Sequence, residues 1–130
     1  MKKECNIFVP LGCYNPCLNN CISHDKPKHP KNICTEVCGN FLLHEDIDSV
    51  IIWENQSYYK NLVTICVFNS SNNQVPITVH LQTDIGETIS FIVPPGNSSA
   101  RTISNLKLAS IICIKPQHCQ GNYELNICTV

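Results

Sequence analysis

Residues 77–97, ITVHLQTDIGETISFIVPPGN, decide how this chain folds. Ile77, Val79 and Leu81 alternate with Thr78, His80 and Gln82, and Ile89, Phe91 and Val93 alternate with Thr88, Ser90 and Ile92. A period of two sends successive side chains to opposite faces of an extended strand, so each run reads as a half-buried strand. Asp84-Ile-Gly86 between the runs and Pro94-Pro-Gly-Asn97 after them supply turn chemistry.

Working outward, the same grammar fills the chain from Gly39 to Val130. Strands are expected at 41–45, 49–54, 62–69, 77–83, 88–93, 99–104, 108–114 and 122–130, with turns such as Asn69-Ser-Ser-Asn-Asn73 and Gln120-Gly-Asn122 between them. Short strands at this spacing, with no helical segment among them, indicate an all-β sandwich or barrel, and eight of them suit a jelly-roll sandwich. In the last run Tyr123, Leu125 and Ile127 form the apolar, inward set. Burying a large apolar side chain is worth roughly 1.5–3 kcal/mol, which selects that face. Cys128 therefore points outward with Glu124 and Asn126. Cys66 has the outward parity in its own strand, although Phe68 shares it, and Cys113 suits a small core hydrophobe. A Cys66–Cys128 bridge within the chain and a bond between chains both remain open here.

Upstream, residues 1–38 read MKKECNIFVPLGCYNPCLNNCISHDKPKHPKNICTEVC. They carry Cys5, Cys13, Cys17, Cys21, Cys34 and Cys38, six of the ten cysteines, and no periodic apolar run. Pro10 and Pro16 bar a regular helix. The expected organisation is an extended Cys-rich N-terminal connector, 1–38, followed by one β module, 39–130. Cys17, Cys21, Cys34 and Cys38, with His24 and His29 between them, offer an alternative as a zinc site in a monomeric binding module. Most zinc ribbons use two-residue gaps, however, and the arm holds more ligands than one tetrahedral site needs. The C-x-x-C redox motif is absent.

Several function classes fall away. The net charge is −1 with scattered Lys and Arg, which gives no footprint for nucleic acid. No apolar run approaches the ~20 residues of a membrane helix. Lys2 and Lys3 begin like an export signal, but Ile7 to Leu11 is too short for its apolar region and contains Pro10. Synthesis in a cytosol is expected, which conflicts with ten cysteines, because cytosolic thiols stay reduced. His44 lies at a strand end among acidic residues, and His80 lies on an outward face. No nucleophile, metallohydrolase or phosphate-loop motif occurs, so neither an enzyme nor a cofactor is expected. A carbohydrate-binding sandwich is weakened by the single Trp53 and the lack of an evident aromatic platform.

Gly39-Asn40 leads into the module, which contains Phe91-Ile-Val-Pro-Pro-Gly-Asn97, Ile103-Ser-Asn-Leu106 and Ser110-Ile-Ile-Cys113. It ends Gly121-Asn-Tyr-Glu-Leu-Asn-Ile-Cys128. This arrangement resembles the endospore appendage subunits of Bacillus-type spore formers. The resemblance implies a jelly roll with sheets B-I-D-G and C-H-E-F whose copies pair sideways through their strands. Each connector then reaches other copies and forms disulfides there. It also implies Cys5 and Cys13 as connector thiols, Cys38 and Cys128 as their receivers, and leaves Cys17, Cys21, Cys34, Cys66 and Cys119 as further disulfide candidates. The partners implied are copies of the chain and other appendage or exosporium proteins. The location implied is the spore surface, after synthesis in the mother-cell cytoplasm without a signal peptide. The arm is longer and richer in cysteine than a typical connector, which also fits an anchor or tip protein of the same fibre system.

Overall fold

The computed structural model describes residues 33–71, 75–114 and 118–130. Those residues form eight strands and no helix: β1 (Cys34–Leu43), β2 (Ser49–Glu54), β3 (Asn61–Asn69), β4 (Ile77–Thr83), β5 (Thr88–Val93), β6 (Ser98–Ser104), β7 (Leu106–Ile112) and β8 (Cys119–Thr129). They make two antiparallel sheets, ordered β1-β8-β3-β6 and β2-β7-β4-β5. Lettered B to I in chain order, these are B-I-D-G and C-H-E-F, the strand order that the resemblance implies. Cys5, Cys13, Cys17 and Cys21, with His24 and His29, lie outside the described residues.

The alternation places the core. Ile77, Val79, Leu81 and Val93 are fully buried and Phe91 nearly so, facing Val63, Ile65, Val67 and Leu125 of the other sheet. Tyr123 and Ile127 pack against this cluster from the inward side of β8. The main departure from expectation is β1, which begins at Cys34 rather than Phe41. Its upstream half pairs with β8 but lies at the sheet margin. Thr35 there is exposed, and Val37 and Gly39 are only half-buried, so no apolar alternation is demanded. β7 begins at Leu106 rather than Leu108 because a single residue, Asn105, turns the chain from β6. Its φ of 59° is the left-handed conformation that Asn tolerates better than most side chains.

Two buried asparagines hold the ends of β3. Asn69, fully buried, donates from Nδ2 to the carbonyls of Val75 (2.9 Å) and Val93 (3.0 Å). Its Oδ1 accepts from the Ser71 amide at 2.9 Å. Asn61 imitates a strand partner at the other end: its Nδ2 donates to the Leu106 carbonyl at 3.2 Å and its Oδ1 accepts from the Leu106 amide at 2.9 Å. Buried polar groups satisfied in this way tie both sheets to the turns without an apolar signal in the sequence.

The β1–β8 ladder also requires two glycines. Gly39 faces Tyr123 and Gly121 faces Phe41 across the ladder. A Cβ on Gly39 would lie 2.5 Å from the Tyr123 hydroxyl, and one on Gly121 would collide with the Phe68 carbonyl and the Phe41 ring. Each aromatic ring thus occupies space that only a glycine leaves open. Gly121→Ala is expected to lower stability by about 3 kcal/mol, at the upper end for overpacking, because a backbone carbonyl cannot swing aside. Urea denaturation measures this, and an unchanged midpoint would contradict the packing described.

Candidate functional site

The outer face of the β1-β8-β3-β6 sheet concentrates the chemistry. Directly opposed residues of an antiparallel ladder share a face. The register therefore builds outward rows: Cys34, Cys128 and Leu62, then Glu36, Asn126 and Thr64. Next come Cys38, Glu124 and Cys66, and finally Asn40, Asn122 and Phe68. Four cysteines lie on one face of one sheet. The same parity puts Cys119 inward on β8, and it is fully buried with Cys113.

Cys128 points outward as its alternation requires, but its sulfur is bonded to Cys34 of the same chain. The Cys66–Cys128 bridge, the alternative within the chain, is therefore not formed. The reason is register: Cys34 and Cys128 are direct partners with Cα atoms 4.0 Å apart, whereas Cys66 stands opposite Glu124. Reading β1 from Phe41 left Cys34 in the arm and concealed this pairing. The usable signal was the spacing of Cys34 and Cys38. An even step keeps both on one face of a strand as surely as it would on a helix.

Cys113 and Cys119 form a second bond, closing the β7–β8 connection inside the core. Cys38 and Cys66 are also disulfide-bonded, and no described cysteine is free. Cys34 and Cys38, two of the four candidate zinc ligands, are thus held in disulfides, and Cys17 and Cys21 lie outside the described residues. Among the described residues no group of three His, Cys, Asp or Glu side chains is placed to hold a metal ion.

Electrostatics distinguish the third row. Glu124 faces outward between Cys38 and Cys66, yet it is only 9% exposed, and Cys66 only 5%. Burial pushes the Glu124 carboxyl above the ordinary carboxylate range, and the negative charge of Glu36 adds to the shift. In the next row Asn122 Oδ1 is buried with no hydrogen-bond partner among the described residues. On the opposite sheet His80 lies outward as expected, only partly exposed, with its Nδ1 3.2 Å from the Ser90 hydroxyl. His44 closes a turn by accepting at Nδ1 from the Asp46 amide at 3.4 Å.

Against known proteins, a family model described as endospore appendages matches residues 17–129. A solved structure described as "Bacillus endospore appendages form a novel family of disulfide-linked pili" superposes with a TM-score of 0.66. The identity is 13%, over 84% of this chain and 96% of that one. No curated protein matches the chain.

The Glu124 environment makes a pH prediction. A raised folded pKa means that the folded chain holds this proton more tightly than the unfolded chain. Its stabilising contribution is fully present below the unfolded value of about 4.3 and is lost as pH rises through the folded value. Glu124→Gln is accordingly expected to raise Tm at neutral pH and to flatten its decline from acid to neutral. Parallel Tm-against-pH curves for the two proteins would contradict this.

Proposed function

The chain belongs to the endospore appendage family, and on that footing we propose that it is a structural subunit which self-assembles into a disulfide-linked fibre on the spore surface. The observation that carries this reading is the outer face of the β1-β8-β3-β6 sheet, with Cys34, Cys38, Cys66 and Cys128 in register on it. A sandwich needs no cysteines on the outside of a sheet to form its core. A chain that exchanges bonds with its neighbours does.

Assembly has a non-covalent and a covalent stage. In the first, open strand edges of neighbouring copies pair. β5 and β6, joined by the Pro94–Asn97 turn, form one flank, and β1 and β2 touch at the other. β6 pairs with β3 from Ser98 to Ser104 without a bulge, and β5 pairs with β4 without one. β5 carries neither Pro nor a charge, and β6 carries one charge, Arg101, whose guanidinium lies over the Phe91 ring. One flank of a copy against the opposite flank of the next is a heterologous contact, which propagates into a polymer unless it closes into a ring.

In the second stage the part of the N-terminal connector that precedes β1 in one copy reaches the cysteine face of another. A connector thiolate, Cys5 or Cys13, attacks Cys128 in its bond to Cys34. The new disulfide joins the two copies and Cys34 leaves as a thiolate that takes up a proton, so atoms and electrons balance. Cys38 offers a second receiving position on the same face. Synthesis in the mother cell and release at its lysis would carry the cysteines from a reducing to an oxidising medium. Other appendage or exosporium proteins join the ends of such a fibre, where an anchor or tip variant of the subunit would sit.

Negative-stain microscopy of the recombinant chain tests the two stages. Fibres are expected without reductant, and most should survive reductant alone in native buffer. Denaturant and reductant together should dissolve them. A monodisperse, folded monomer under oxidising conditions would overturn the proposal.

A further inference from the structure

The loop from Glu54 to Lys60, between β2 and β3, borders a cleft of about 470 Å³ that also takes in Asp84 and Lys107. Tyr58 is fully exposed and Tyr59 is 74% exposed, so two adjacent phenol rings stand in solvent at its rim. The loop presenting them is shaped by its own bonds. The Asn55 amide donates to the Lys107 carbonyl at 2.8 Å. Asn55 Oδ1 accepts from both the amide (3.0 Å) and the hydroxyl (2.9 Å) of Ser57. The Ser57 hydroxyl in turn accepts from the Tyr59 amide at 3.4 Å. At the loop's end the Val130 amide donates to the Lys60 carbonyl at 3.2 Å. The rings are thus displayed by a backbone that is already organised, which lowers the entropic cost of binding.

The lining indicates what would fit. Glu54 and Asp84 oppose Lys60 and Lys107 in number, so the cleft has no net charge with which to select an ion. Among the described residues none of these four side chains makes an ion pair or hydrogen bond, which leaves donors and acceptors of both kinds for a ligand. Gln56 adds an amide that both donates and accepts. Apolar faces beside hydroxyl-sized polar groups, in a cleft of small-molecule size, match a ligand with C–H faces and many hydroxyls. We propose that this cleft binds an uncharged oligosaccharide, with the Tyr58 and Tyr59 rings stacking on sugar faces and the four charged side chains bonding its hydroxyls. The aromatic platform comes from two tyrosines in a loop. Repeated along a fibre, a weak site of this kind gains strength by multivalency.

The test uses the full chain and ligand-observed NMR titration with neutral tetrasaccharides of glucose and of N-acetylglucosamine, and with a nucleotide and a tyrosine-free peptide as competitors. At least one tetrasaccharide is expected to bind saturably. The double variant Tyr58→Ala/Tyr59→Ala should weaken that binding by about tenfold or more, and Tyr58→Phe/Tyr59→Phe should largely retain it. Both variants lie in an exposed loop, and an unchanged far-ultraviolet circular dichroism spectrum verifies their fold. Absence of saturable binding to every tetrasaccharide would overturn the proposal. So would binding indifferent to loss of the rings, or displacement by peptide or nucleotide at lower concentration than by sugar. None of these outcomes depends on whether the chain forms fibres.

Discussion

The pairing of β8 with β1 on one side and β3 on the other is the constraint on which the rest of the molecule depends. This one register sets the inward side of the sheet, where Leu125 is buried and Tyr123 and Phe41 lie over glycines. It also sets the outward side, where it aligns Cys34 with Cys128 and lodges Glu124 between Cys38 and Cys66. A slip of one residue would turn every one of these side chains to the other face. Core packing and cysteine placement are therefore a single decision made twice.

That coupling explains how a small sandwich can combine an apolar core with cysteines on its exterior. The inner bond, Cys113–Cys119, is shut away with the core and serves the fold. Of the outer cysteines, Cys34 is exposed and Cys128 half-buried, both outside the apolar core, so a change in the bond between them would leave the sheets packed. Strand pairing between copies would supply contacts that are individually modest, with each hydrogen bond worth roughly 0.5–1.5 kcal/mol net. Covalent links add persistence that such contacts lack. Glu124 shows the cost on the other side, since a carboxyl is held out of water beside two bonded cysteines.

The β module was legible because its strands obey period two wherever one face is covered. β2, β4 and β5 begin and end where the alternation and turn residues place them. Legibility fails where the covering fails: the first half of β1 borders solvent, so Cys34 to Asn40 carries no apolar pattern, and with it the Cys34–Cys128 bond was hidden. The clamps at Asn61 and Asn69 were hidden for a related reason, since buried amides read as turn residues in a sequence. Tyr58 and Tyr59 belong to no strand alternation, and nothing in a sequence tells whether adjacent rings are exposed. The facing of Cys128 followed from parity alone. Its partner did not, because alternation gives the side of a sheet but not the neighbour.

The central claim is that the cysteines of this outer face link one copy to the next. Mixing isotopically heavy and light protein before assembly tests it most directly, with proteolysis of the isolated fibres under non-reducing conditions and mass analysis of the linked peptides. Linkages of mixed mass that join Cys5 or Cys13 to Cys38 or Cys128 are the predicted result. Fibres in which every disulfide, including Cys34–Cys128, is of uniform mass would show that the bonds stay within each chain, and would contradict the account.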